Sequence, residues 1–123
     1  MSQMKNTTII LAAACPEGTG SRTYEEWMHG KRSQEEVLAC FRQEAFRLGP
    51  HKAYQVARIL EKCRVFLRST MADELVDRLL LKPVPETMKM SEFILMHAHG
   101  AKNIAILPYA TACIPRFIGA NND

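Results

Sequence analysis

Residues 7–14 read Thr7-Thr8-Ile9-Ile10-Leu11-Ala12-Ala13-Ala14. A short, apolar, partly β-branched run of this kind has the composition of a strand buried on both faces of a parallel sheet. Cys15-Pro16-Glu17-Gly18-Thr19-Gly20-Ser21 then interrupts it with a proline and two glycines, the chemistry of a turn. Beyond that turn the period becomes helical. Thr23-Tyr24-Glu25-Glu26 has capping-box spacing and predicts a helix running to His29, ended by Gly30. Ser33-Gln34-Glu35-Glu36 repeats the spacing and opens a second helix. Its core stripe is Val37, Phe41, Ala45 and Leu48, and Gly49-Pro50 stops it.

A third helix is predicted over 51–62, with Ala53, Val56, Ala57 and Leu60 facing inward. Residues 64–68 (RVFLR) read as the second strand. Thr70-Met71-Ala72-Asp73 then caps a fourth helix that buries Leu75, Val76 and Leu79. Residues 82–85 (KPVP) cannot be helical throughout, because each proline disfavours helix in the residue before it. A fifth helix is expected over 87–99, ending at Gly100, and a third strand over 103–107 (NIAIL). Residues 109–123 read as an irregular tail.

Strands that alternate with helices argue for parallel pairing through right-handed crossovers. The expected fold class is therefore α/β: a small, parallel, Rossmann-like three-layer domain with about three strands and about five helices. A length of 123 residues suits one domain, 1–123, that can bury a core without disulfide or metal. A buried-type first strand with so little chain before it points to missing neighbours, or to an edge that a partner covers.

Composition narrows the function classes. The chain is 47% hydrophobic and 24% charged, as in ordinary globular domains, which excludes a disordered or fibrous protein. Net charge is +3, from 16 Lys+Arg against 13 Asp+Glu, and the basic residues are dispersed, so no nucleic-acid partner is expected. The longest apolar run, 9–15, is too short to span a bilayer. No membrane association and a cytoplasmic location are expected, since no secretory leader is recognisable. Cys15, Cys40, Cys63 and Cys113 form no Cys-x-x-Cys pair, so free thiols are expected rather than a disulfide framework or a zinc site.

In open α/β sheets, ligands bind outside the carboxyl ends of the strands. The loops 15–22, 69–70 and 108–115 qualify. In the first, Gly18, Thr19 and Gly20 make a candidate anion-binding loop of backbone N–H groups between strand and helix. It matches neither a P-loop nor a dinucleotide fingerprint, and a plain glycine-shaped turn is the commoner reason for such a sequence. On the third helix, His51, Gln55, Arg58 and Lys62 share the face opposite the core, with Tyr54 at its border. Tyr54, Gln55 and Arg58 have the chemistry to grip a small carboxylate, Arg58 by a bidentate pair and the others by neutral hydrogen bonds. A solvated polar face is the plainer account of the same pattern. Cys113 has no nearby histidine to act as base. His97 and His99 fit contacts with carbonyls at a helix end, and Trp27 fits a core or interface role.

Three segments together carry a resemblance: TIILAAACPEGTGSRTYEEWM (8–28), GPHKAYQVARILEKCRVFLRS (49–69) and NIAILPYATACIP (103–115). They resemble the C-terminal domain of the nickel-dependent lactate racemase family over roughly residues 7–115. That resemblance implies the substrate-side lid of a two-domain enzyme that interconverts stereoisomers of lactate or related 2-hydroxy acids. Its chemistry is hydride transfer to a nickel-pincer nucleotide, with a histidine acid/base pair and a tethering lysine on the N-terminal domain. Tyr54 and Gln55 match the family's substrate-side positions, and Arg58 falls where a basic residue contacts substrate or cofactor. No histidine here matches the catalytic pair, and His51 and Lys52 are not equated with the acid/base or the tether. The stretch 109–113 lacks the glycine-rich, histidine-bearing pattern expected after that strand. No catalytic residue and no metal ligand is assigned, and no cofactor is expected on this chain alone. The expected partner is the N-terminal catalytic domain, in cis or in trans, or a second copy of the chain. The alternatives are a small phosphate- or nucleotide-binding module, or a structural dimerising domain.

Overall fold

The computed structural model describes residues 7–43, 50–112 and 116. Three strands, β1 (Thr7–Ala12), β2 (Cys63–Arg68) and β3 (Lys82–Pro83), form one sheet in the order β1-β2-β3, and both pairings are parallel. Five α-helices join them: α1 (Arg22–Met28), α2 (Gln34–Gln43), α3 (Pro50–Leu60), α4 (Asp73–Arg78) and α5 (Met90–Ala98). A 3-10 turn follows at Ala110–Ala112. The expected α/β class, with a small parallel sheet and about five helices, is the observed one.

β1 and β2 pair from Thr7↔Cys63 to Ala12↔Arg68. The two-residue period of a strand divides β2 between two layers. Val65 and Leu67 are buried on one face. Phe66, on the other, meets Phe93 of α5 edge-on, with ring centroids 5.0 Å apart. α1 to α4 supply the layer opposite α5. Its core joins Tyr24, Met28, Val37, Leu38, Ala53, Ala57 and Leu79. The two alanines of α3 let that helix approach its neighbours closely, and Val76 of α4 is buried as well.

The third strand is not the one the sequence suggested. Residues 103–107 form no strand, and Ile104 and Ile106 stand 62% and 86% exposed. The strand beside β2 is Lys82–Pro83, in the stretch where proline forbids helix. A proline is tolerated there because β3 is an edge strand, and Val84 N–H continues the ladder to Leu67 O at 3.0 Å. Nor is β1 buried on both faces. It is the other edge, and Ile9 and Leu11 remain 37% and 42% exposed.

The helix starts also differ in detail. Ser21, not Thr23, caps α1, its Oγ accepting from Tyr24 N–H at 3.2 Å. At α2 half of the expected capping box forms, and the return bond goes to the residue before the cap. Ser33 Oγ accepts from Glu36 N–H, and the Glu36 carboxylate accepts from Arg32 N–H at 2.9 Å. α4 begins after Ala72 with no side-chain cap. Thr70 turns away to donate its hydroxyl to Ala14 O at 2.7 Å, which ties the ends of β1 and β2 together. α5 is shorter than 87–99, because a turn from Pro85 to Met88 precedes it. Ala45 and Leu48, the end of the expected α2 stripe, and most of the expected tail lie outside the described residues.

Leu79 is 2% exposed, in the core between α4 and the α1–α3 layer. Leu79→Ala leaves a cavity there and is expected to destabilise the fold by about 2–5 kcal/mol, read as a lower urea midpoint at unchanged m-value.

Candidate functional site

The first loop is built by its own hydrogen bonds. Gly18 N–H donates to Cys15 O at 3.1 Å and Gly20 N–H to Glu17 O at 3.2 Å. Ser21 N–H donates to Thr19 Oγ1 at 3.1 Å. The remaining group, Thr19 N–H, donates to Glu25 Oε1 at 3.3 Å, and the Thr19 hydroxyl donates to the same oxygen at 2.7 Å. A side-chain carboxylate from the first turn of α1 therefore stands where an anion in the loop would stand. Gly18 suits its place because φ is +65°, where side chains are strained, and a Cβ there would also press on Glu25 Oε1 at 3.2 Å. An external anion at Gly18, Thr19 and Gly20 would have to displace Glu25. The sequence pattern gave no sign of this, because Glu25 looked like part of a capping box rather than a ligand of the loop six residues upstream.

The second candidate loop, 69–70, borders a small hollow of about 190 Å³ lined by Arg68, Ser69, Met71, Asp73 and Glu86, among others. Arg68 is the residue that sequence reasoning missed. Its Nη2 donates to Pro85 O at 2.9 Å and to Met88 O at 2.6 Å, which fastens the connection between β3 and α5. Its Nε is buried without a hydrogen-bond partner. An arginine on the last residue of a strand is the signal that could have found it. Asp73 and Glu86 line the same hollow, so it mixes both signs of charge.

On α3 Arg58 neighbours both Tyr54, four residues before it, and Gln55, three before it, while Tyr54 and Gln55 themselves point in different directions from the helix axis. Tyr54 is half-buried against the core and stacks on Phe41 of α2, with centroids 4.4 Å apart and an interplanar angle of 18°. The Arg58 guanidinium lies over the other part of this arrangement, 5.9 Å from the Tyr54 ring centroid. Gln55 and Arg58 are exposed. Among the described residues, no carboxylate pairs with Arg58; the ion pair found there joins Arg22 to Glu26 on α1, at 3.0 Å. α3 leads directly into β2, so its start lies towards the carboxyl ends of the strands, and Arg58, two residues from its end, lies towards the amino end. The three side chains thus share one helix, but not the crevice at the strand tips where both candidate loops lie.

Cys15, Cys40 and Cys63 are free thiols, and Cys113 lies outside the described residues. His97 sits in an aromatic pocket, 4.2 Å from the ring of Phe93 and 4.7 Å from that of Phe66, with Nδ1 3.0 Å from Phe93 O. Trp27 packs on the core under Lys31, whose Nζ is 4.1 Å from the ring centroid. Among the described residues, no three His, Cys, Asp or Glu side chains converge on a point that could hold a metal ion, and no helix is long and apolar enough to cross a membrane.

Compared with protein-family models, with curated proteins and with solved structures, the chain matches none of them.

Two outcomes follow from this geometry. Glu25→Ala orphans Thr19 N–H and is expected to cost about 1–3 kcal/mol of stability, measured by urea unfolding. It also frees the loop, so added phosphate should restore more stability to the variant than to the parent. Separately, burial pushes the Tyr24 hydroxyl up from 10.0 to about 12. The unfolded chain loses this proton first, so the contribution is intact below pH 10 and falls away as the pH rises towards 12. The loss should reach up to about 3 kcal/mol, with one tyrosine ionising late in an ultraviolet absorbance titration.

Proposed function

We propose that this chain is the substrate-side domain of a two-domain, nickel-pincer type racemase-like enzyme acting on a small 2-hydroxy acid, and that it is not catalytic by itself. The observation that carries this reading is Arg58. It is an exposed guanidinium steadied over the ring of Tyr54, with no acidic partner among the described residues and with Gln55 beside it. An arginine held on an aromatic face loses less side-chain freedom on binding than a free one. It presents a planar fork of donors to a carboxylate, and the neighbouring amide can meet a hydroxyl. A 2-hydroxy acid offers both groups on adjacent carbons.

The resemblance over residues 7–115 supplies the reaction class, and the parallel α/β architecture agrees with it. The described residues do not fit the nickel-pincer group itself, since no donor set for the metal converges among them. The part proposed for this chain is therefore confined to substrate: Arg58 binds the carboxylate, Gln55 orients the hydroxyl, and Tyr54 fixes the arginine. The metal, the cofactor tether and the acid/base histidines belong to the N-terminal domain. The first loop gives the phosphate-binding alternative less support, because its amides already have acceptors.

The test is complementation. The chain alone is expected to leave the optical activity of L-lactate unchanged, and a cofactor-loaded N-terminal domain of the family is expected to racemise it faster when the chain is added. Arg58→Ala should then raise KM by about ten- to a hundredfold, the loss of a charge-assisted hydrogen bond worth about 1.5–3 kcal/mol, with the fold intact by circular dichroism. An unchanged KM removes Arg58 from the site.

A further inference from the structure

The longer of the two sheet edges, β1, is paired on one side only among the described residues, and the strand-like segment 103–107 lies outside the sheet. Ala13 N–H donates to Arg68 O at 3.0 Å. In a parallel ladder this phase directs the N–H and C=O groups of Thr8, Ile10 and Ala12 away from β2, to the free side of β1. β1 itself (TTIILA) carries no edge protection in its own sequence: it contains no charge, no proline and no bulge. Residues 103–107 (NIAIL) are likewise uncharged and strand-like in composition, yet they are exposed throughout and hydrogen-bonded into no sheet.

Topology points that segment at the β1 edge. α5 lies on the Phe66 face, opposite α3 and α4. A right-handed crossover that returned from β3 towards β1 would place its helix on that face. In the protomer the segment pairs with no strand among the described residues. Each chain therefore offers the outer side of β1 and a strand-like segment outside the sheet, and two copies related by a two-fold axis satisfy both with identical contacts.

We propose that the free edge of β1 is an interface for residues 103–107 of a second copy of this chain, in a reciprocal strand exchange. The exposed area admits such an interface. From their exposures of 37% to 86%, Ile9, Leu11, Ile104, Ile106, Leu107 and Tyr109 present roughly 700 Å² per chain, so about 1,400 Å² is the upper bound a dimer could bury from them, which reaches the range of specific interfaces. Alternation along the added strand sets Ile104 and Ile106 on one face of the extended sheet and Ala105 and Leu107 on the other. The interface leaves Tyr54, Gln55 and Arg58 free, so it stands or falls independently of the racemase reading.

The test is the mass of the chain in solution by light scattering across a wide concentration series, with hydrogen exchange of the β1 amides. The parent is expected at twice 13.9 kDa, with Thr8, Ile10 and Ala12 protected. Ile106→Lys, at an 86% exposed position of the protomer, should give a folded monomer with those amides exchanging freely. Ile59→Lys, on the exposed side of α3, should remain dimeric. A monomeric parent overturns the proposal, whether its β1 amides are protected, which means closure within one chain, or unprotected, which means an open edge. A dimer that survives both Ile106→Lys and the double variant Ile104→Lys/Ile106→Lys overturns it as well.

Discussion

Everything in this domain is organised about β2, the strand paired on both sides. Its alternation sends Val65 and Leu67 to one layer of helices and Phe66 to the other. Its last residue, Arg68, closes the end by gripping two carbonyls of the β3–α5 connection. The ladder to β1 joins segments more than fifty residues apart. Closing the loop of α1, α2 and α3 between them costs chain entropy before the pairing repays it, which makes the fold's central pairing a long-range one. The helices in turn depend on β2, since most are short and short helices are marginal in water without a surface to pack against.

The fold class was legible because the alternation of strands and helices is written in period and in proline placement. The third helix shows this best. Ala53, Ala57 and Leu60 were predicted to face inward and are buried, and Val56 is half-buried beside them. Two strand assignments were not legible, for one reason. A strand is a relation between segments, and composition cannot show whether a partner is in reach. Residues 103–107 have the better strand composition and no neighbour, while Lys82-Pro83 has the worse composition and lies against β2. β1 looked doubly buried for the same reason: its residues suit an interior strand, but the fold leaves it at the rim.

The site was legible as a set of residues and not as a set of distances. Helical spacing alone put Tyr54, Gln55 and Arg58 together, and the structure adds that Phe41 and Arg58 both engage the tyrosine ring. The first loop was legible as a glycine turn after a strand, but its occupant was not. Thr19 and Glu25 meet only because the turn folds onto the first turn of α1. Arg68 escaped attention because it lies inside a strand pattern, where a charged residue reads as a solvent-facing one.

Glu25 has a further consequence for how the cleft end of the sheet behaves. Its carboxylate is tethered to the loop it fills, so any free anion competes with a local one whose effective concentration is at least of millimolar order. The loop is in this sense already liganded by its own chain. It holds the shape that a bound anion would otherwise impose, and α1 starts at Arg22 directly after it. An ion dissolved around the protein at low concentration would find the position taken. Only a ligand anchored by other contacts nearby, and so itself present at high local concentration, could exchange with Glu25.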